Sequence, residues 1–411
     1  MRSRVPFLIV PLSILFGILV LQSCSGFGRQ PVPVEPEPTA TMKLEKTPTA
    51  TPTPAVTTTR HIERTPKVKW SFDAGKNDLN NLMVGPDGTI YGASVSQVLA
   101  VSSKGAQKWA FNPGNEKDRI SGVVAARDGN TYVGNLGGKV IALSPDGAAT
   151  WSFDAGKPVF SVATGTDGDI YAEAGVFGGK VLALSPKGVQ KWSFDCGDCT
   201  SNALAVGRDG TVYAVAAHGA DTGKVIALSP EGAVKWSFDA GGSIRRLAVG
   251  TNGVIYVGTA DAANNGKVFA VTPEGAKKWS FDVHGRVWDF ASGRDGTIYA
   301  NTGDSRGTKC KVVALSSDGA EKWSFDAGKV SSLVIGRNGI VLAGTMDEVN
   351  PGNDDEAYTG KVFAFSPTGA KKWSFDVGSS GVSALAVGTG RIIYVATTGG
   401  HSAKVIALTT P

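Results

Sequence analysis

Charged residues are scarce in this sequence. They make up 19% of its 411 residues, against roughly a quarter in an average globular protein. The net charge of +5 is spread along the chain and forms no concentrated basic face, so nucleic acid is not an expected partner. Glycine is abundant instead, with 54 residues. This composition argues against a helical bundle and favours many short strands joined by tight turns.

The N-terminal apolar segment is too short to span a membrane. It covers 15 residues, Phe7 to Leu21, after the basic residues Arg2 and Arg4, and it predicts a signal peptide over residues 1–23. The sequence from Leu21 to Cys24 resembles the bacterial lipobox, in which the cysteine is lipidated and becomes the new N-terminus. We therefore expect a lipoprotein with palmitate-type acyl chains on Cys24, each buried CH₂ contributing about 0.8 kcal/mol to membrane binding. The alternative is plain secretion with an unmodified Cys24.

Three cysteines remain after this processing. Cys196 and Cys199 are three residues apart, which predicts a local disulfide in an oxidising compartment. A catalytic dithiol with this spacing would need a helix N-terminus to lower the thiolate pKa, whereas CGDC follows a predicted strand. The sequence leaves the pairing of Cys310 open.

Residues 24–65 are rich in proline and threonine. The run TPTATPTP ends at Pro54, and the segment has too few apolar side chains to form a core. This composition predicts a disordered, semi-rigid spacer between the lipidated cysteine and a folded domain over residues 66–411.

A repeat fills the predicted folded domain. The unit KWSFD recurs with small changes, at spacings of 39 to 50 residues, around Trp70, Trp109, Trp151, Trp192, Trp236, Trp279, Trp323 and Trp373. Such spacing is typical of propeller blades. Each unit contains four short apolar runs bounded by turn residues, which predicts one four-stranded antiparallel blade. Asp-Gly and Asn-Gly pairs between the first two runs predict two-residue hairpins.

The two ends of the repeat determine the number of blades. Val68 to Asp73 is a fourth strand with no blade before it, and three strands follow Trp373, of which the last is Lys404 to Leu408. Pairing these two end strands completes an eighth blade and removes the free edges of the ring. The expected fold is all-β: a monomeric eight-bladed β-propeller of four-stranded antiparallel blades, closed by the N-terminal strand pairing with the C-terminal blade.

The segment from Ile255 to Asp282, IYVGTADAANNGKVFAVTPEGAKKWSFD, resembles the PQQ-like propeller repeat. This repeat is shared by quinoprotein dehydrogenases and by BamB-like envelope lipoproteins of the outer-membrane β-barrel assembly machinery. The likeness covers Val68 to Pro411. Quinoprotein blades usually carry the motif Ala-x-Asp-x-x-Thr-Gly-x-x-x-Trp, whereas the segment from Ala142 to Trp151 is one residue shorter and has Ser144 at the aspartate position.

Loop lengths differ between the two faces of the predicted ring. On one face the turns are nearly constant, whereas on the other the loops vary, the longest being Gly344 to Gly360, so we expect function on the variable face. The candidate binding residues precede the first strands of three blades: Glu116, Arg119, Arg245, Arg246, His284, Arg286, Trp288 and Asp289. These side chains suit an acidic or extended peptide. The alternative is a rim of exposed charges with Trp288 capping the channel.

The longest variable loop is rich in carboxylates. Asp347, Asp354, Asp355 and Glu356 are candidate ligands for weak calcium binding, although their spacing does not match an EF-hand. The alternative is an acidic loop that is simply solvated.

The resemblance and the anchor together imply a non-catalytic binding scaffold at the bacterial cell envelope, without a catalytic residue or a cofactor. The expected partners are envelope or outer-membrane proteins or extended peptides. The anchor would lie on the periplasmic side of the outer membrane or on the outer surface of the cell membrane. A PQQ- and Ca²⁺-dependent dehydrogenase is one alternative, but the sequence has no adjacent cysteine pair and no long insertion. A glycan- or cell-wall-binding module or hydrolase is another, although no paired carboxylates stand out.

Overall fold

The computed structural model describes residues 65–411, apart from 77, 176–178, 198–203, 218–221, 262, 264, 305, 308, 337, 350–357 and 400–401. In this part of the chain the strands form eight four-stranded antiparallel sheets and one two-stranded sheet. The eight larger sheets are the blades predicted from the repeat, so the all-β propeller is confirmed. None of the helices in the same residues has the length and hydropathy of a membrane-spanning segment.

The strands of the first four blades follow the repeat in order. Blade 1 contains Asn81–Val84, Ile90–Ala93, Val98–Val101 and Gln107–Phe111. Blade 2 contains Ile120–Ala125, Thr131–Asn135, Lys139–Leu143 and Ala149–Asp154. Blade 3 contains Val159–Thr164, Ile170–Ala174, Gly179–Leu184 and Gln190–Gly197. Blade 4 contains Ala205–Val206, Val212–Ala217, Gly223–Leu228 and Val234–Asp239. A 3₁₀ turn at Glu116–Asp118 precedes blade 2.

The other four blades differ mainly in their connections. Blade 5 contains Ser243–Val249, Ile255–Ala260, Gly266–Val271 and Lys277–Val283. Blade 6 contains Arg286–Ser292, Ile298–Gly303, Cys310–Leu315 and Glu321–Gly328. Blade 7 contains Val330–Ile335, Val341–Thr345, Lys361–Phe365 and Lys371–Asp376. Blade 8 contains Gly381–Val387, Ile392–Thr398, Ala403–Thr409 and Lys67–Gly75. The two-stranded sheet, Asp347–Glu348 with Tyr358–Thr359, belongs to the long loop of blade 7.

The ring closes in blade 8, as predicted. The N-terminal strand Lys67–Gly75 pairs antiparallel with Ala403–Thr409, and Trp70 lies opposite Ala407. The first strand of blade 8 in turn contacts the first strands of blades 1 and 7. Two segments from opposite ends of the described part of the chain therefore share one sheet, in which Lys67–Gly75 is the outermost strand and covers the edge of Ala403–Thr409.

Aromatic side chains fill seven of the eight blades in the same way. In seven blades a buried tyrosine of the second strand lies with its ring centroid 5.6 to 6.0 Å from the tryptophan ring of the fourth strand. The pairs are Tyr91–Trp109, Tyr132–Trp151, Tyr171–Trp192, Tyr213–Trp236, Tyr256–Trp279, Tyr299–Trp323 and Tyr394–Trp70. Blade 7 has Leu342 in place of the tyrosine, beside Trp373.

A turn from the next blade covers each of seven tryptophans. The indole Nε1 donates to a main-chain carbonyl at 2.7 to 3.0 Å, in the pairs Trp70–Ser103, Trp109–Pro145, Trp151–Pro186, Trp192–Pro230, Trp236–Pro273, Trp279–Ser317 and Trp323–Pro367. The turn glycine two residues later has a φ between +78° and +91° and lies flat against the ring. A Cβ on this glycine would lie 2.6 to 2.8 Å from a ring atom, so only glycine fits. These turns connect the third and fourth strands.

The turns between the first and second strands are longer than predicted. In blade 1 the N–H of Gly85 donates to Thr89 O at 2.8 Å and the N–H of Gly88 donates to Gly85 O at 3.0 Å, so three residues form the loop. Asp87 accepts from the N–H of Thr89 at 2.9 Å. The prediction of two-residue hairpins was wrong: the aspartate caps the turn through its side chain, and the glycine that follows, Gly88, takes a φ of +80°.

Candidate functional site

A β-bulge occurs at one position in the first strands of six blades. The pairing with the second strand shifts there by one residue, and the bulged residues are Ser121, Phe160, Arg245, Trp288, Ser331 and Ser383. This position lies near the start of the first strand, on the variable face. A bulge adds one side chain to the strand and changes the direction in which it points. Two of the predicted binding residues, Arg245 and Trp288, are such residues.

Arg246 joins blade 5 to blade 6 at this position. Its Nε donates to the carbonyl oxygen of Trp288 at 2.7 Å and lies 3.7 Å from Oδ1 of Asp289. The Asp289 carboxylate also accepts from the N–H of Phe290 at 2.9 Å. Burial raises the pKa of Asp289, and the opposite charge of Arg246 and two backbone N–H groups oppose that rise. The structure thus brings three of the predicted residues into direct contact.

Arg245 and Arg286 form a second group of predicted residues. Burial lowers the pKa of Arg245, and the positive charge of Arg286 lowers it further. The Arg286 guanidinium in turn lies 6.0 Å from the ring centroid of Trp288, within the range of a cation–π contact. Two like charges, one of them beside an aromatic ring, therefore lie close enough together to affect each other.

A cavity of about 510 Å³ lies on the variable face next to these residues, and of the three just named only Trp288 is in its wall. Blades 5 to 8 line it together with Asp78 and Asn80, which precede blade 1. Its volume lies within the roughly 300 to 1,000 Å³ that is usual for ligand pockets. Arg246, Trp288 and Asp289 are the predicted residues in its wall.

The cavity wall also contains polar residues that the sequence analysis missed. Asn301 is 1% exposed, and its Nδ2 donates to Val330 O at 3.0 Å, whereas its Oδ1 has no partner among the described residues. The same holds for Nε1 of Trp288 and Oγ of Ser383. Asn301 could have been found by aligning the repeats, because the position two residues after the second-strand tyrosine is alanine, glycine or valine in most blades.

The remaining candidate binding residues lie elsewhere. Glu116 begins the 3₁₀ turn before blade 2, and Arg119, which follows that turn, is not in the wall of the 510 Å³ cavity. His284 lines a separate cavity of about 200 Å³ near the edge strands of blades 5 and 6. The eight predicted residues therefore do not form one site.

The structure describes part of the predicted calcium loop. Asp347 accepts from the N–H of Lys329 at 3.1 Å, and the Lys329 ammonium contacts Glu348 at 2.7 Å. Asp354, Asp355 and Glu356 lie outside the described residues. Within the described part of the chain, no three His, Cys, Asp or Glu side chains are grouped closely enough to hold a metal ion. The donor set of the described residues does not fit a calcium-bound quinone, and we derive no chemistry through one.

The cysteines have different environments. Cys196 is disulfide-bonded. Its predicted partner Cys199 lies outside the described residues, as does the predicted lipidation site Cys24, so both assignments stay predictions. Cys310 is a free, buried thiol whose pKa is raised by burial.

The family model described as "Outer membrane protein assembly factor BamB" matches residues 94–238 and 221–349. A search of curated protein sequences gave no match. Among solved structures, BamB from Moraxella catarrhalis is similar at 18% identity and a TM-score of 0.61, covering 84% of this chain and 98% of that one.

Two other solved propellers share only the fold. The C-terminal WD40 domain of Sif2 has 12% identity and a TM-score of 0.65, covering 85% of this chain and 99% of its own. The Dos1 propeller has 11% identity and a TM-score of 0.65, covering 84% and 96%. Since the family model spans more than half of the chain and matches the repeats that build the observed blades, the chain belongs to the PQQ-like propeller family of the outer membrane protein assembly factor BamB.

Proposed function

We propose that this protein is a non-catalytic binding scaffold at the bacterial cell envelope, anchored by lipid on Cys24. Its partner is an envelope or outer-membrane protein that presents an acidic or extended segment. The partner docks on the variable face of blades 5 and 6 and on the adjoining cavity. Membership of the BamB family supports a protein-binding propeller associated with the envelope.

The proposal rests on two cationic residues, Arg245 and Arg286, which adjoin Arg246 and Trp288 of the cavity wall. Burial lowers the pKa of Arg245, and the positive charge of Arg286 lowers it further, so the Arg245 charge is costly in the unbound protein. An acidic side chain placed between them would replace this repulsion with two attractive interactions in a partly desolvated site. Arg246 contacts Asp289 and Trp288 O, so it positions the bulge.

Aromatic and arginine side chains are also those that dominate the energetics of protein interfaces. Trp288 lies at the bulge, in the wall of the cavity, beside Arg286. It is the one tryptophan of the sequence outside the KWSFD-type repeats. The repeat does not require it, and a binding role accounts for its presence.

Photocrosslinking in intact cells tests the proposal. A benzoylphenylalanine at Asn80, an exposed residue in the cavity wall, would capture a bound protein. We expect Trp288→Ser and Arg245→Ser to reduce the crosslinked product severalfold. Serine already occupies the same bulge in blades 2, 7 and 8, so the fold should tolerate both changes.

Phe160→Ser is the matched control, because Phe160 is the bulged residue of blade 3 and does not line the cavity. It should leave the crosslinks unchanged. The proposal is refuted if no protein is captured, or if all three variants reduce the product equally.

A further inference from the structure

Three residues in the wall of the 510 Å³ cavity have a polar atom without a hydrogen-bond partner among the described residues. These atoms are Nε1 of Trp288, Oδ1 of Asn301 and Oγ of Ser383. A buried polar atom without a partner is costly, and such atoms are rare in folded proteins. Three of them around one cavity indicate a bound group that pairs with them.

The β-bulge of blade 6 places two of these residues side by side. Asp289 pairs directly with Asn301, and Trp288 is the extra residue next to this pair. Side chains at facing positions of two paired strands start about 5 Å apart. One small group can therefore contact both Trp288 and Asn301.

The structural role of the bulge does not use either of these two atoms. In blades 2 and 7 the bulged residue is a serine, and its hydroxyl donates to a carbonyl oxygen of the next blade, in the pairs Ser121–Val159 and Ser331–Val382. In blade 6 the corresponding carbonyl, Val330 O, accepts from Nδ2 of Asn301 at 3.0 Å. The connection between the blades is therefore made without the indole N–H of Trp288 and without Oδ1 of Asn301.

The chemistry of the three atoms determines which hydrogen bonds a ligand must offer. An indole N–H only donates, an amide oxygen only accepts, and a hydroxyl does either. The ligand must therefore carry an acceptor and a donor close together. An acetamido group carries both, in its C=O and its N–H. Its methyl group suits the apolar side chains of Val330 and Met346 in the same wall.

The charges of the wall favour a neutral ligand with hydroxyl groups. The wall contains carboxylates and cations together: Asp78, Asp289, Arg246, Arg306 and Lys329. Arg246 lies 3.7 Å from Asp289, and the Lys329 ammonium contacts Glu348 at 2.7 Å. An acidic ligand would meet the carboxylates of the wall, whereas a hydroxyl group can donate to a carboxylate and accept from a cation.

We propose that this cavity binds a saccharide that carries an acetamido group. The acetamido C=O accepts from Nε1 of Trp288, and the acetamido N–H donates to Oδ1 of Asn301. Hydroxyl groups of the sugar ring bond to Ser383 and to the charged residues of the wall. The volume of about 510 Å³ is in the range of pockets for small ligands.

Binding requires a movement of side chains in the wall. The three atoms are enclosed in this structure, so a ligand reaches them only when part of the wall turns. Trp288 and Ser383 are half-buried and can turn, whereas Asn301 is held by its bond to Val330 O. Turning of Trp288 would uncover Oδ1 of Asn301, its neighbour at the bulge.

This site is distinct from the arginine pair of the proposed scaffold surface. Arg245 and Arg286 are not in the wall of the cavity. Saccharide binding therefore does not depend on a protein partner. Arg245→Ser separates the two proposals, because it should weaken the crosslinks to a partner and leave the affinity for the saccharide unchanged.

The test is isothermal titration of the full-length protein with three ligands. N,N′-diacetylchitobiose should bind to one site in a saturable manner. Cellobiose has the same linkage with hydroxyl groups in place of the acetamido groups, and it should bind about tenfold more weakly, the value of one hydrogen bond. N-acetylglycine methylamide has the amide without the sugar ring and should bind more weakly than the chitobiose.

Two variants test the assigned contacts. Trp288→Phe removes the N–H and keeps an aromatic ring, and Asn301→Ala removes the acceptor, so each should weaken chitobiose binding about tenfold. Alanine stands at the position of Asn301 in blades 1 and 8, so the strand accepts it. Phe160→Ser is the matched control, because it changes the bulge of blade 3 outside the cavity and should leave the affinity unchanged.

The comparison of ligands keeps the proposal testable if a variant does not fold. The proposal is wrong if the chitobiose does not bind the unchanged protein, or if cellobiose binds equally well. It is also wrong if the methylamide binds as tightly as the chitobiose, which would indicate a site for a peptide group. Unchanged affinity of a folded Trp288→Phe or Asn301→Ala variant would likewise overturn it.

Discussion

Glu173 makes the stability of this propeller depend on pH. It lies in the second strand of blade 3, is 1% exposed, and neither carboxylate oxygen has a hydrogen-bond partner among the described residues. Burial alone raises its pKa from 4.5 to about 8, without a contribution from any charged neighbour. The folded chain therefore keeps this carboxyl protonated at neutral pH, whereas the unfolded chain ionises it above about 4.5.

The sign of the effect follows from proton binding. Between about pH 4.5 and pH 8 the folded state holds a proton that the unfolded state releases, so stability falls as pH rises. Each pH unit within this window costs about 1.4 kcal/mol. From pH 5 to pH 8 the loss from this single group amounts to about 3 to 4 kcal/mol, a large part of the 5 to 15 kcal/mol that stabilises a typical domain.

Glu173→Val removes this dependence. Valine stands at the same repeat position in blade 4 as Val215, so the side chain suits the site. Urea unfolding followed by tryptophan fluorescence at pH 5, 6, 7 and 8 gives the free energy of unfolding for both proteins. The stability gained by the variant should grow by about 3 to 4 kcal/mol from pH 5 to pH 8.

Asn301→Val is the control, because Asn301 occupies the same position in blade 6 and does not titrate. Its effect on the free energy of unfolding should not change with pH. If the difference between Glu173→Val and the unchanged protein stays constant within about 1 kcal/mol over this range, the carboxyl is not held neutral by burial and the reasoning fails.

Three further predictions concern the turns, the ring closure and the anchor. Gly232→Ala should destabilise the protein by about 3 kcal/mol in urea unfolding, because the φ of Gly232 is +89° and a Cβ would lie 2.7 Å from Trp192. Gly241→Ala is the control and should cost only about 1 kcal/mol, because Gly241 has a φ of +66° but no atom within 4 Å of the added Cβ. Deleting residues 67–75 should lower the melting temperature by several degrees, because blade 8 loses its fourth strand; an unchanged melting curve would contradict the closure. Cys24→Ala should move the protein from the membrane fraction to the soluble fraction and abolish labelling with an alkyne palmitate analogue, and retention in the membrane would argue against lipidation.

The repeat made the architecture predictable from sequence. Eight tryptophans at blade-sized spacing determine the blade count. The first of them lies in a strand with no blade before it, which determines the closure, because that strand completes the last blade. The geometry of the turns was harder to predict from the sequence. Asp-Gly pairs favour positive φ, but the side chain of Asp87 accepts a backbone N–H and converts the expected two-residue hairpin into a three-residue loop.

The candidate site could be predicted only in part. Sequence comparison of the repeats located Arg246, Trp288 and Asp289 on the variable face, and the structure places all three in the wall of one cavity. Their mutual contacts depend on how one blade lies against the next, which no local pattern encodes. For the same reason His284, only a few residues away, lines a different cavity.

The shared sheet of blade 8 imposes an order on folding. The chain is synthesised from its N-terminus, so Lys67–Gly75 cannot pair until Ala403–Thr409 has been made. Of the described strands, the first to be synthesised is therefore among the last to pair. A contact between strands so far apart in the sequence is slow to form. Until it forms, blade 8 has an unpaired strand edge on Ala403–Thr409 and on Lys67–Gly75, and such edges can pair with other chains. A chaperone that shields the early strand would therefore matter more for this protein than for one whose neighbouring segments pair as they appear.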